Sequence, residues 1–238
     1  MKTVLITGAN KGVGLETAAQ LATLGYFVYL GSRDRERGEK AVDGLRDRGI
    51  SHVKLLVIDV TLPDSIANAA KQVESGSGVL DVLINNAGIA GEMPQQIMTV
   101  DMENLRNVFE TNFFGPVQVT RGFLGLLRKS EAPLVLNVSS ELGSLEIHNH
   151  NQNPNFTRYD AYSCSKTALN AFTVLLANQL RDAGVRVNSV TPGFTATDLN
   201  QHTGTQSVAQ GARAIVNGVT LYRDGATGMF FRDQPVPW

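Results

Sequence analysis

The stretch Thr7-Gly8-Ala9-Asn10-Lys11-Gly12-Val13-Gly14 follows a short apolar run and leads into an amphipathic segment. Gly8 permits a tight turn, Gly12 lets the backbone approach a phosphate, and Gly14 allows a helix to pack closely on a sheet. The first turn of a helix offers free N–H groups and a partial positive charge to an anion. The spacing alone also suits an ordinary glycine-rich turn, but its place between a strand and a helix predicts a dinucleotide-binding turn.

Short apolar runs alternate with helical segments along the whole chain. The strand-length runs, rich in Val, Ile or Leu, span residues 3–7, 27–31, 53–59, 79–84, 134–139, 185–191 and 227–231. The helical segments between them span residues 12–24, 34–48, 63–74, 102–127, 159–183 and 206–217. This alternation predicts the α/β class, as a single-domain Rossmann fold over residues 1–238. We expect a doubly wound, seven-stranded parallel sheet with helices on both faces.

Composition and charge exclude several classes of protein. The 238 residues carry 21 Lys and Arg against 22 Asp and Glu, a formal net charge of −1, which does not favour nucleic acid or an anionic membrane as a partner. No segment approaches the roughly 20 apolar residues that span a bilayer. The N-terminal apolar run is too short for a signal peptide. Cys164 is the only cysteine, which excludes an internal disulfide, and we expect a cytoplasmic protein.

Three further motifs follow the glycine turn in a fixed order. Asn85-Asn86-Ala87-Gly88 follows the fourth predicted strand, Tyr162-Ser163-Cys164-Ser165-Lys166 opens a helix, and Pro192-Gly193 follows the sixth strand. With the glycine turn, they resemble the short-chain dehydrogenase/reductase family over essentially the whole chain. The stretches most similar to its carbonyl reductase branch are Asn10-Lys11-Gly12, Thr111-Asn112-Phe113-Phe114-Gly115 and Gly228-Met229-Phe230-Phe231-Arg232-Asp233.

Three side chains are the predicted centre of the chemistry. Tyr162 and Lys166 lie four residues apart on a predicted helix and therefore share a face. The ammonium is expected to lower the pKa of the phenol from near 10, towards that of a general acid at neutral pH. Ser140 and Ser139 end the fifth strand, where a hydroxyl can donate to a substrate carbonyl. Strand alternation lets only one serine face the site, and the family pattern selects Ser140.

The resemblance assigns further residues to the site. It implies that Asn112 fixes a water linking Lys166 to solvent, and that Lys166 also holds the nicotinamide ribose. The residues that it places at the dinucleotide are Gly8, Asn10, Lys11, Gly12, Val13 and Gly14 at the phosphates, Asp59 and Val60 at the adenine, Asn86, Ala87 and Gly88 at the ribose and nicotinamide, Tyr162 and Lys166 at the nicotinamide ribose, and Pro192, Gly193, Thr195 and Thr197 at the carboxamide. For the strand-end positions among these, the alternative is an ordinary turn.

The end of the second predicted strand bears on the choice between NADPH and NADH. An acidic residue there would bind the 2′-OH of the adenosine ribose, but Ser32 and Arg33 follow this strand. Arginine offers a planar donor fork suited to a phosphate, and Lys11 adds a second cation, so that NADP(H) is favoured. Asp34 has nearly the spacing of a ribose-binding acid, and we interpret it instead as the cap of the next helix.

The motifs together predict an NADPH-dependent oxidoreductase that reduces a small carbonyl substrate, with Tyr162 as general acid. The alternatives are an NADP-sensing protein without turnover and a nucleotide-sugar epimerase or dehydratase, whose chains usually carry a larger C-terminal region. The polar stretch at residues 148–155 predicts a surface loop that forms a wall of the site. An insertion here obstructs a tetramer interface in the carbonyl reductase branch, which favours a monomer or homodimer. His148 and His150 in this stretch are expected to be solvated, and no metal is predicted.

Overall fold

Seven parallel strands form the centre of the molecule in a computed structural model that describes residues 1–150, 158–221 and 225–238. The strands are β1 (Thr3–Ile6), β2 (Phe27–Ser32), β3 (Val53–Val57), β4 (Val82–Asn85), β5 (Leu134–Val138), β6 (Arg186–Val190) and β7 (Phe230–Phe231). Their order in the sheet is β3-β2-β1-β4-β5-β6-β7, and each neighbouring pair is parallel. The predicted seven-stranded Rossmann sheet is thereby confirmed.

Helices cover both faces of this sheet because successive strand residues point to opposite sides. The helices are α1 (Gly12–Thr23), α2 (Arg35–Asp47), α3 (Pro63–Gly76), α4 (Met102–Phe109), α5 (Gly115–Leu127), α6 (Leu145–His150), α7 (Asp160–Gln179) and α8 (Val208–Thr220). In β1, Val4 and Ile6 belong to an apolar cluster that includes residues of α1, α2 and α8. Leu5 belongs to a second cluster, with residues of α3, α5 and α7. Among the described residues, no helix is both long and apolar enough to cross a bilayer.

The region predicted as one helix over residues 102–127 is divided in the structure. A π-helical turn at Glu110–Phe114 separates α4 from α5. A single π-helical turn contains one residue more than a turn of α-helix, and such turns are frequent at functional sites. The insertion changes the direction of the side chains on either side of it, and the turn contains Asn112.

The segment after the fifth strand also differs from its prediction. Residues 148–150 of the predicted surface loop lie in α6, so that part of the interpretation is wrong. The Nε2 atom of His148 is 2.8 Å from the carbonyl oxygen of Leu142, a contact that helps hold this helix against the chain after β5. Residues 151–155 of the predicted loop lie outside the described part of the chain.

The order of the strands in the sheet reverses between β1 and β4. This reversal indicates where the ligand-binding site is expected. In a doubly wound sheet, ligands bind outside the carboxyl ends of the strands at such a switch point. The glycine turn follows β1, and the Asn86-Ala87-Gly88 motif follows β4. These two motifs, far apart in the sequence, are therefore neighbours at this edge of the sheet.

Candidate active site

The glycine turn packs directly against the segment after β4. Gly8 and Gly12 have φ angles of 63° and 56°, in the left-handed region that glycine tolerates. A Cβ atom on Gly8 would lie 2.8 Å from the Cα atom of Ala87, and one on Gly14 would lie 2.4 Å from Nδ2 of Asn86. A side chain at either glycine would therefore push the turn away from β4.

Asn86 stabilises this turn with its side chain. Its Nδ2 group donates to the carbonyl oxygens of Thr7 at 2.8 Å and Gly8 at 3.1 Å. The Thr7 hydroxyl accepts in turn from the backbone N–H groups of Asn86 and Ala87. Asn86 and Ala87 thus connect the two strand ends through hydrogen bonds.

The N-terminus of α1 is open to an anion. Lys11, the N-cap residue, makes no side-chain capping bond, and the first turn of α1 contains no acidic residue. The amides of Gly12, Val13 and Gly14 have no intrahelical acceptor, since the first N–H groups of a helix lack one. These groups and the helix dipole fit a pyrophosphate. Asn10, also expected there, lies partly exposed in the turn.

Tyr162 and Ser140 lie together beyond the carboxyl end of β5. Ser140 caps a 3₁₀ turn at Glu141–Gly143, and its hydroxyl lies close enough to that of Tyr162 to lower the pKa of the phenol in part. The neighbouring Ser139 is instead buried, at 2% exposure. Its hydroxyl has no hydrogen-bond partner in the described part of the chain. The two serines thus differ as strand alternation predicts, and Ser140 is the one beside Tyr162.

Lys166 lies one helical turn after Tyr162 and is almost completely buried, at 4% exposure. Its Nζ atom is 5.6 Å from the centre of the Tyr162 ring and donates to the carbonyl oxygen of Val138 at 2.8 Å. Burial lowers the pKa of the Lys166 ammonium to about 8. A Cβ atom on Gly88 would lie 3.7 Å from this Nζ atom, so the β4 motif reaches α7.

The pKa of Tyr162 differs from the sequence expectation. The side chain of Tyr162 is half-buried. This burial raises the pKa of Tyr162 to about 12, although the hydrogen bond with Ser140 lowers it in part. The expected decrease is wrong because withdrawing the phenolate from water costs more than Ser140 returns, while the Lys166 ammonium donates to the carbonyl oxygen of Val138. At neutral pH the phenol therefore keeps its proton.

Asn112 connects the π-helical turn to the segment after β4. Its Nδ2 group donates to the carbonyl oxygen of Ile89 at 2.9 Å and to Oγ of Ser165 at 3.0 Å, while its Oδ1 accepts from the Ile89 amide. Ser165 donates onward to the carbonyl oxygen of Tyr162 at 2.7 Å. Asn112 therefore fixes the position of the β4 segment relative to the helix that carries Tyr162. The water that the resemblance places here stays a prediction.

The end of β2 presents an exposed arginine. Arg33 follows the strand and is exposed to solvent. Asp34 accepts from the backbone N–H of Arg37 at 3.0 Å, which confirms that it caps α2. Lys11, the second cation expected here, instead forms an ion pair of 2.7 Å with Asp198 and lowers the pKa of that carboxyl group. Both side chains are more than half exposed, so this pair contributes little stability.

Asp59 and Val60 follow β3 at the same edge. Asp59 accepts through Oδ1 from the backbone N–H of Thr61 at 2.9 Å and from its hydroxyl at 2.7 Å. Val60 is buried, at 7% exposure. In this structure Asp59 stabilises the turn after the strand, which is the alternative that the sequence left open, and the adenine contact stays a prediction.

The turn after β6 lies beside the glycine turn. Thr195 is buried, and its hydroxyl lies 3.2 Å from each of the carbonyl oxygens of Pro192 and Gly193. A Cβ atom on Gly12 would lie 3.7 Å from Cγ2 of Thr197. The structure therefore brings the residues expected at the carboxamide next to those expected at the phosphates. Within the described ranges, no group of three or more His, Cys, Asp or Glu side chains is arranged to hold a metal.

This geometry agrees with what the comparisons with known proteins show. Residues 2–207 match the family model described as short chain dehydrogenase. The chain belongs to the short-chain dehydrogenase family. The (+)-neomenthol dehydrogenase of Arabidopsis thaliana is 33% identical over 286 residues, covering 98% of this chain and 96% of that protein. Salutaridine reductase of Papaver bracteatum is 29% identical over 296 residues, covering 97% of this chain and 94% of that protein.

The fold of this short-chain dehydrogenase is likewise similar to solved structures. The carbonyl reductase Sniffer of D. melanogaster superposes with a TM-score of 0.87 at 27% identity, covering 100% of both chains. The family resemblance read from the four motifs is confirmed, and the protein is an oxidoreductase of this family.

The sequence analysis missed two side chains that hold the candidate site of this short-chain dehydrogenase together. Ser165, which joins Asn112 to the Tyr162 backbone, stands one residue before Lys166, so its helical position was an available signal. Gln206 bonds to the turn after β6 across eleven residues of chain, and no motif pointed to it.

Proposed function

We propose that the protein reduces a carbonyl group of an aldehyde, ketone or quinone to an alcohol, with NADPH as the reductant. One observation carries this proposal: the phenol of Tyr162 lies beside Ser140, with Nζ of Lys166 5.6 Å from its ring centre, at the edge of the sheet that carries the open glycine turn. The names of its relatives, among them salutaridine reductase and (−)-isopiperitenone reductase, support a reductase.

Each residue of the site has a separate role in the proposed reaction. NADPH, when bound, supplies the hydride. Ser140 donates a hydrogen bond to the carbonyl oxygen of the substrate, and Tyr162 gives its proton to the same oxygen as negative charge develops there. Lys166 stabilises the phenolate that remains on Tyr162 through the charge of its ammonium. Asn112 holds the segment beside Lys166 in place.

The raised pKa of Tyr162 supports the reductive direction. Reduction needs the phenol as an acid, and with a pKa of about 12 it is protonated throughout the neutral range. Oxidation of an alcohol would need the phenolate as a base, and that form is scarce at neutral pH. At neutral pH the cofactor-free protein therefore holds Tyr162 in the protonated form that carbonyl reduction uses.

The rate of reduction is expected to fall as the pH rises through about 8. The pKa of Lys166 is lowered to about 8, so above that pH the ammonium loses its proton and its charge, while Tyr162 stays protonated. The measurement is kcat/KM against pH, which reports the essential groups of the free enzyme. In Lys166→Arg the guanidinium keeps its charge, so its profile should be flat across this range. A decrease near pH 8 that persists in Lys166→Arg would contradict the assignment.

Replacing Arg33 by alanine is expected to raise the Kd of NADPH about tenfold to a hundredfold, the effect of losing a hydrogen bond to a charged group. The Kd of NADH should hardly change, because NADH lacks the 2′-phosphate that Arg33 would bind. Both constants can be measured by quenching of protein fluorescence. Arg35→Ala, which removes an exposed charge two residues away, is the matched control. Equal weakening of NADPH and NADH in Arg33→Ala would refute the 2′-phosphate site.

Turnover of a carbonyl panel tests the function itself. Purified protein is mixed with NADPH or NADH and with aldehydes, ketones and quinones, and loss of nicotinamide absorbance is followed. We expect NADPH-dependent turnover with at least one compound class. Protein that binds NADPH but oxidises it with no member of the panel would favour the NADP sensor instead.

The assembly and location of the protein also stay predictions. The monomer or homodimer inferred from the segment between Ser140 and Tyr162 can be tested by light scattering. The cytoplasmic location expected from the sequence can be tested by fractionation.

A further inference from the structure

Gln206 holds the turn after β6 with the nitrogen of its side-chain amide. Its Nε2 group donates to the carbonyl oxygen of Pro192 and, at 2.7 Å, to the hydroxyl of Thr195. The main chain adds a further contact, because the Ala196 amide donates to the carbonyl oxygen of Gln206 at 3.0 Å. The turn is thus bound to Gln206 through backbone and side chain together.

Arg232, the residue after β7, connects Gln206 to the catalytic serine loop. Its Nη2 donates to Oε1 of Gln206 at 2.6 Å, and its Nη1 lies 3.7 Å from Oε1 of Glu141. Glu141 follows Ser140 directly in the chain. A continuous path of polar contacts therefore runs from the turn after β6, through Gln206 and Arg232, to the residue next to Ser140.

The structure leaves room for this network at Gly193. Gly193 has a φ angle of 73°, and a Cβ atom there would lie 2.8 Å from both Cζ of Arg232 and Nε2 of Gln206. Arg232 is only partly exposed, at 37% of its side chain. Its planar guanidinium has a fixed donor geometry, which makes it a rigid connector between two partners.

We propose that Gln206 and Arg232 are positioning residues, which set the turn at residues 192–195 in register with Ser140. This inference rests on the proposed function, in which the turn contacts the nicotinamide end and Ser140 contacts the substrate carbonyl. Hydride transfer needs its two reacting carbons about 3–3.5 Å apart, so the relative position of these loops controls the rate. Each loop begins at a different strand and has irregular backbone, and the Gln206–Arg232 network joins the two.

The test is the rate of hydride transfer in single turnovers of Arg232→Gln and Gln206→Glu. Gln206→Glu keeps an acceptor for Arg232 but loses the donor to Pro192 and Thr195. Stopped-flow oxidation of NADPH by an active carbonyl substrate is normalised to the concentration of NADPH-binding sites. We expect the rate of hydride transfer in each variant to be about tenfold lower than in the wild type. This loss is smaller than the roughly hundredfold cost of a 1 Å misplacement. The Kd of NADPH should be nearly unchanged. Arg181→Gln, an exposed arginine on the chain after α7, is the matched control.

The outcomes separate positioning from a merely structural role. If the network only stabilises the fold, the variants lose binding sites and melting temperature, but the rate per remaining site stays that of the wild type, which overturns the proposal. An unchanged rate in well-folded variants overturns it as well. Absence of any carbonyl turnover in the wild type would instead refute the proposed function, and this inference with it, before any variant is compared.

Discussion

Tyr162→Phe is expected to lower kcat by about 10²- to 10⁴-fold, the usual contribution of a positioned general acid. Phenylalanine keeps the ring beside Lys166 but removes the one proton that Tyr162 donates to the developing alkoxide. The binding of NADPH should remain close to that of the wild type, because the glycine turn and Arg33 are untouched. Steady-state reduction of an active substrate and fluorescence titration with NADPH measure the two quantities.

A second tyrosine provides the matched control for this variant. Tyr29 lies in β2, and its hydroxyl donates to Oγ of Ser77 at 3.2 Å, far from the carboxyl edge of the sheet. Tyr29→Phe removes the same atom and should cost about 1 kcal/mol of stability with no change in kcat. Turnover of Tyr162→Phe at the wild-type rate would show that Tyr162 is not the acid.

The fold was predictable because the apolar runs, the helical segments and the turn motifs of the sequence all point to the same architecture. Leu134–Val138, for example, is apolar apart from Asn137 and is buried along its whole length, as a strand covered on both faces requires. The π-helical turn was not predictable, because the spacing of apolar residues through 102–127 suits an uninterrupted helix. The turn places Asn112 where its side chain forms hydrogen bonds with Ile89 and Ser165, which are distant in the sequence. Such contacts leave no periodic signal.

The members of the site were easier to predict than their electrostatics. Helical spacing alone places Tyr162 and Lys166 on one face, and strand alternation separates Ser139 from Ser140. The pKa of Tyr162 depends instead on how much protein surrounds its hydroxyl, which the sequence does not specify. The pairing of Lys11 with Asp198, across 187 residues of chain, was hidden for the same reason.

Ser140→Ala is expected to lower kcat by about 10²- to 10³-fold, the effect of removing one donor to a developing oxyanion. The substitution has two consequences. It removes the hydrogen bond proposed to polarise the carbonyl, and it removes the bond to Tyr162 that partly lowers the pKa of the phenol. A phenol with a still higher pKa is a weaker acid, so both consequences slow the same step. Single-turnover rates on one substrate measure the combined loss.

Ser139→Ala is the matched control for this prediction, because it removes the same hydroxyl oxygen from the preceding residue. The Ser139 hydroxyl is buried and has no hydrogen-bond partner among the described residues, so removing it should leave kcat unchanged. The free energy of unfolding should stay the same or rise, because an unsatisfied buried hydroxyl is itself destabilising. A loss of kcat in Ser139→Ala but not in Ser140→Ala would reverse the assignment of the two serines. It would then be Ser139 that faces the substrate during turnover.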